Sequence, residues 1–87
     1  SFFRFSYAQL LAKKNHSEEA VEHLSICLKA RDDWMMAALL KAKLEISLKR
    51  KGDAESSLIK TIELAKAQDH QDPLDEASEL LVLLKGS

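Results

Sequence analysis

An all-α fold, a solenoid of helical hairpins with five helices, is the class this sequence predicts, and three observations carry it. The 87 residues include only two glycines and one proline, with leucine, alanine, lysine and glutamate abundant, a composition that favours helix. Apolar residues recur every three or four positions, and no alternating strand pattern competes with them. A stretch also recurs 37 residues on: Asn15-His16-Ser17-Glu18-Glu19-Ala20-Val21 lies over Gly52-Asp53-Ala54-Glu55-Ser56-Ser57-Leu58, Cys27-Leu28-Lys29-Ala30 over Leu64-Ala65-Lys66-Ala67, and Lys13-Lys14 over Arg50-Lys51. Recurrence at this period means one supersecondary unit stacked on the next. The expected organisation is a single domain over 1–87: repeat one at 1–32, repeat two at 33–69 and a terminal capping helix at 72–86.

The first helix is expected from Phe2 to Lys13, with Phe3, Tyr7, Leu10 and Leu11 forming the stripe that faces the core. Ser17 is expected to cap the second, which runs to Ala30 with Ala20, Leu24, Cys27 and Leu28 inward; Glu18 and Glu19 suit its positive end. Asp32 or Asp33 is expected to cap a third and longest helix reaching Lys51. Its first half, Trp34 to Leu40, is apolar on every side and so enclosed, with Met35 and Met36 read as core filling. Lys49, Arg50 and Lys51 would complement its negative end, and Gly52 would stop it in the left-handed conformation. Asp53 then caps a fourth helix with Leu58, Ile62 and Ala65 on one face. Asp72 caps a fifth, Pro73 occupies its first position, and Leu74, Ala77, Leu81 and Leu84 repeat along it. Loops this short make neighbouring helices antiparallel.

A chain of 87 residues hides roughly 60–65% of the surface it exposes when unfolded, so the core is modest. A formal charge of −1 sets up no strong field toward nucleic acid or acidic membrane. The single cysteine, Cys27, forms no internal disulfide and fits a reducing compartment, so the expected location is intracellular, in the cytoplasm. The longest apolar run, Leu80–Leu84, falls far short of the ~20 residues that span a bilayer, and no membrane insertion is expected. A start at Ser1-Phe2-Phe3, without methionine, reads as a piece cut from a longer protein.

Helix pairs joined by a tight turn, with a small residue early in the second helix, resemble degenerate tetratricopeptide repeats over nearly the whole chain. Ala20 stands at the family's small position between the two helices of a repeat, Cys27 at its second small position with Leu28 after it, and Gly52-Asp53 matches its favoured turn. The family period is 34 against 37 here, Glu45 stands where the second repeat's small residue is expected, Leu64 is large where Cys27 is small, and Asp32 replaces a frequent proline. The resemblance implies a non-enzymatic protein-binding scaffold whose first helices line an inner surface. Partner-contacting positions carried over in this way are Phe2, Phe5, Gln9 and Lys13 in repeat one, Lys43, Ile46 and Arg50 in repeat two, and Glu79, Leu80 and Leu83 on the last helix. Members that grip a terminal carboxylate use lysine, asparagine and arginine; Phe5, Gln9 and Lys43 depart from that set, so the clamp is not expected.

No motif in the chain carries chemistry. Glycines only at 52 and 86 make no phosphate-cradling loop, and no serine or cysteine sits in a nucleophile motif. Asp69, Asp72, Asp75, Glu76 and Glu79 read as cap, helix start and solvated face. His23 and Cys27, four apart on one helix, are two ligands short of a zinc site, so neither metal nor cofactor is expected. Lys41, Lys43, Lys49, Arg50 and Lys51 are interrupted by Glu45 and lack interleaved aromatics, which argues for solubility and dipole complementation over nucleic acid. The expected partner is a protein or peptide with apolar anchors and some acidic character, bound in the inner groove. Two alternatives stand beside it: a purely structural segment of a longer scaffold, and a homodimer formed through the aromatic N-terminal end, where Phe2, Phe3 and Phe5 crowd.

Overall fold

The computed structural model describes residues 2–86. Its five helices are α1 (Phe2–Lys13), α2 (Ser17–Ala30), α3 (Met35–Ser47), α4 (Lys51–Ala67) and α5 (Gln71–Gly86), with no strand among the described residues. Each helix packs on the next in chain order, and α3 also touches α5. The body measures 29 × 29 × 18 Å. A depth of 18 Å holds two layers of helices about 10 Å across: α1, α3 and α5 form one, α2 and α4 the other.

Three turns share one geometry. Asn15, Lys49 and Asp69 adopt the left-handed conformation, with φ of 65°, 64° and 57°. After each, a backbone N–H closes five residues back: His16 donates to the Leu11 carbonyl (2.8 Å), Arg50 to Glu45 (2.9 Å) and His70 to Ala65 (2.9 Å). The left-handed residues donate in turn to Ala12, Ile46 and Lys66. This double closure satisfies carbonyls that a helix end otherwise leaves unpaired.

The first two such turns lie 34 residues apart, and burial repeats at that spacing. Ala8 matches Ala42, Ala20 matches Ala54, Leu24 matches Leu58 and Cys27 matches Thr61, all of them buried. The structural repeat is therefore 34, and the 37-residue register read from the sequence is corrected. A shift of three residues turns a helix by about 300°, so apolar letters nearly coincide in both registers. In the true register Ala42 is the small residue of repeat two, and Glu45 replaces Leu11 instead.

Helix ends differ from expectation accordingly. α3 stops at Ser47, and α4 is the longest helix, beginning at Lys51. Gly52 sits in the first turn of α4 without positive φ, and Lys49 takes the left-handed place assigned to it. Lys49, Arg50 and Lys51 thus occupy a turn and a helix start rather than the end of α3. Ser17 is the first residue of α2, Asp53 lies inside the first turn of α4, and Asp72 inside that of α5; the caps of α2, α3 and α4 are His16, Trp34 and Arg50, none with a side-chain cap bond. Pro73 is the third residue of α5, where its missing N–H has no intrahelical partner to lose.

The core forms two joined clusters. One gathers Phe5, Ala8 and Leu11 of α1 with Ala20, Val21, Leu24 and Cys27 of α2 and Ala37 and Leu44 of α3. The other gathers Leu39, Ala42, Leu58 and Ala77, flanked by Ile46, Ile62 and the leucines of α5. In α1 the core stripe is Phe5, Ala8 and Leu11; Phe3, Tyr7 and Leu10 are exposed, Phe3 by 89%. Small Ala8 sits at the hairpin crossing, and the bulkier stripe lies to one side of it, where Tyr7 meets His23 of α2 edge-on. Met35 is buried as core, whereas Met36 is exposed.

The turns make two substitutions informative. A side chain in the left-handed conformation costs about 1–2 kcal/mol, so Lys49→Gly is expected to raise unfolding stability by about 1 kcal/mol in urea titration. Gly52→Ala is expected to add about 0.5–1 kcal/mol, because its new Cβ meets nothing within 4 Å and its φ is helical. A loss of stability in Gly52→Ala would return that glycine to the terminating role read from the sequence.

Candidate partner-binding surface

Along α1, Phe2, Ser6, Gln9 and Lys13 are exposed; 34 residues on, α3 presents Met36, Leu40, Lys43 and Ser47 on the corresponding stripe. Phe5 of α1 packs on Trp34 at the start of α3, and Phe2 and Met36 line one cleft, so these stripes make one surface. Lys43 reaches across it to Glu76 of α5, Nζ to Oε2 2.5 Å. At its upper end, where α1, α3 and α5 begin, a cleft of about 660 Å³ opens between Phe2, Arg31, Trp34, Met36, His70 and Pro73. Trp34 is held from two sides. Phe5 packs against its ring with centroids 4.9 Å apart, and the Arg31 guanidinium sits 5.6 Å above it. Gln68 donates to the Asp33 carbonyl at 2.9 Å, tying the α4–α5 turn to the α2–α3 connection.

Of the seven residues singled out in the sequence, Phe2, Gln9, Lys13 and Lys43 share this surface. Phe5 lies beneath it in the core, under Trp34, and Ile46 is half-buried against the second core cluster. Arg50 is on the other layer's side, 3.8 Å from Glu18 and lining a groove with Val21, Glu22 and Ile26 of α2. Of the α5 positions, Glu79 and Leu83 are exposed and Leu80 is half-buried. Met36, Trp34 and Pro73 were missed as site residues. A 34-residue register would have found Met36, which matches Phe2.

The residues weighed for metal are otherwise engaged. Arg4 Nη1 donates to His23 Nδ1 at 2.9 Å, and Tyr7 meets the same ring edge-on at 5.0 Å. Cys27 is fully buried in the first core cluster. Among the described residues no three His, Cys, Asp or Glu side chains converge, and no helix is long and apolar enough to cross a membrane.

No family model matches the sequence, and no curated protein matches it. Solved structures do. The solution structure of a tetratricopeptide repeat domain protein from Salinibacter ruber superposes with a TM-score of 0.88 at 24% identity, covering 98% of this chain and 86% of that one. A crystal structure of a tetratricopeptide repeat domain protein from the same organism gives 0.89 at 24% identity, covering 98% and 94%. The fold is that of tetratricopeptide repeats.

Within this tetratricopeptide-repeat fold the second hairpin carries a polar device the first lacks. Glu45, at the position of Leu11, is only 2% exposed. Its Oε2 accepts from Lys41 Nζ at 2.7 Å and its Oε1 from Ser57 Oγ at 2.6 Å, while Lys41 also reaches Ser57 Oγ at 3.3 Å. Thr61, in place of Cys27, donates to the Ser57 carbonyl at 2.8 Å. Every buried side-chain N and O among the described residues finds a partner. The sequence pointed at Glu45 only as a misfit. Lys41, read as part of a solvated basic cluster, is instead the cation that neutralises it.

Removing one partner of a buried pair costs more than removing both. Lys41→Met is therefore expected to lower stability by about 2–4 kcal/mol, and Glu45→Leu added to it is expected to recover most of that loss. Denaturant unfolding of the two variants and the wild type checks it. Equal losses in the single and double variants would mean that Lys41 acts through packing alone.

Proposed function

We propose that the chain is a protein-interaction module that binds a peptide or a partner helix along the surface formed by α1, α3 and α5. The observation that supports this reading is the cleft between Phe2 and Met36. Phe2 is 74% exposed, and the cleft brings an aromatic, a thioether and a tryptophan face together beside a cation. A preformed apolar hollow of this size takes an apolar anchor side chain with little reorganisation. Gln9 and Lys43, aligned across the two first helices of the repeats, offer a polar track along which an extended backbone or a carboxylate is held. Burial of the anchor would supply affinity, and the charges would set direction and specificity. Nothing in this reading requires a reaction centre; the role is that of a scaffold that binds.

The experiment is selection of peptides from a displayed random library, followed by titration of the selected peptide. Phe2→Ser combined with Met36→Ser is expected to weaken it at least tenfold, about 1.4 kcal/mol, with the thermal midpoint unchanged because both side chains are exposed. Lys43→Glu is expected to weaken acidic peptides selectively. Arg50→Glu, on the other side of the molecule, is expected to leave binding intact. Native affinity in both inner-surface variants would overturn the assignment.

A further inference from the structure

We infer that a second copy of this chain docks head to tail, laying its α1 along the exposed face of α5. On α5 this surface borders the inner groove, with Glu79 and Leu83 at the boundary, and the contact does not depend on the groove being occupied.

The two faces fit each other in three respects. On α1, Phe3, Tyr7, Leu10 and Lys14 follow one another at four-, three- and four-residue steps, and all are exposed. Thirty-four residues on, Ala37 and Leu44 occupy the places of Phe3 and Leu10, and they are the residues by which α3 packs on the preceding hairpin. The face of α1 is thus built for contact with another helix. On α5, the core side is spent on α4 and α3 through Ala77, Leu80, Leu81 and Leu84, while Val82 and Leu83 stand 71% and 69% exposed beside Ser78 and Glu79 in a shallow apolar hollow of about 380 Å³. In α3 two sides are covered, by α2 and by α4; in α5 no described helix covers the corresponding second side.

Order along the helices then selects direction. The α1 stripe is apolar first and basic last, ending in Lys14, and α1 contains no acidic residue. The α5 stripe is acidic first, with Asp72, Asp75 and Glu79, and apolar last, with Val82 and Leu83. Only an antiparallel arrangement sets aromatic against aliphatic and lysine against aspartate at once. The spans agree. At 1.5 Å per residue, Phe3 to Lys14 covers about 16 Å and Asp72 to Leu83 about 16 Å. Opposite charges placed this way steer encounter and penalise the reversed register. Because the two surfaces differ, the contact is heterologous, and repetition builds open stacks or closes a ring rather than stopping at an isologous dimer.

Sedimentation of the whole chain tests this with two variants, one blocked at the head (Phe3→Glu with Leu10→Glu) and one at the tail (Val82→Lys). All three substituted side chains are exposed, and circular dichroism confirms that each variant folds; if the head variant does not, Lys14→Glu replaces it. The wild type is expected to gain mass steadily with concentration, past the dimer, and to lose association at least tenfold in affinity between low and high salt. Each variant alone is expected to stay monomeric, and an equimolar mixture to form one-to-one pairs, because one intact head meets one intact tail. A wild type that remains monomeric at millimolar concentration overturns the proposal and leaves these faces to a flanking helix or another protein. A tail-blocked variant that still dimerises overturns it in favour of a head-to-head contact, and a head-blocked variant that dimerises does so in favour of tail to tail.

Discussion

Four alanines with no exposed surface govern how this molecule is put together: Ala8 and Ala20 in the first hairpin, Ala42 and Ala54 in the second. A methyl group at a helix crossing lets two axes approach to about 8 Å, the near end of the usual range. Larger side chains there would splay the hairpin and move every residue outward from it. Because each pair recurs at 34 residues, the two hairpins have the same internal geometry and stack in the same sense. The alignment of Gln9 with Lys43, and of Phe2 with Met36, follows from that repetition.

Repetition also explains where the hairpins differ. Among the described residues the second hairpin is packed from both sides, whereas α1 and α5 each have one side packed. In α3 the residues toward the preceding hairpin are Ala37 and Leu44, enclosed; in α1 the matching Phe3 and Leu10 stand in solvent. The polar network of Glu45, Lys41, Ser57 and Thr61 lies in the hairpin enclosed on two sides. A buried carboxylate tolerates only positions where donors reach both of its oxygens, so the network specifies which turns of α3 and α4 meet. The first hairpin achieves its crossing with Leu11 and Cys27 and carries no such specification.

The turns show how far local chemistry is overruled. Asn15 and Asp69 suit the left-handed conformation, since their short side chains tolerate it. Lys49 does not, and Gly52 stands only three residues away. Sequence reasoning assigned the stop to the glycine because glycine is the cheapest left-handed residue. The structure ends α3 earlier, because the carbonyls of Glu45 and Ile46 find their donors at Arg50 and Lys49 when the hairpin closes at the length its alanines require. The same closure undid the 37-residue register, which had matched turn letters rather than buried positions. It also divided the candidate binding residues, keeping Phe2, Gln9, Lys13 and Lys43 together and sending Arg50 to the opposite side.

The sequence by itself determined the class, the number and order of helices, and most of the inward residues of α2 and α4. These follow from composition, from period and from the small residues at Ala8, Ala20 and Cys27, all of which act over a few neighbouring positions. Only the tertiary structure decided which of two apolar stripes on α1 is core, where α3 ends, that Glu45 is buried with Lys41 as its counter-charge, and that Phe5 supports Trp34 from below. Those outcomes depend on which helix lies against which. A stripe of phenylalanine, tyrosine and leucine has the same period whether it meets a neighbour or solvent, and a lysine four residues before a glutamate reads as a surface pair until a second helix closes over both.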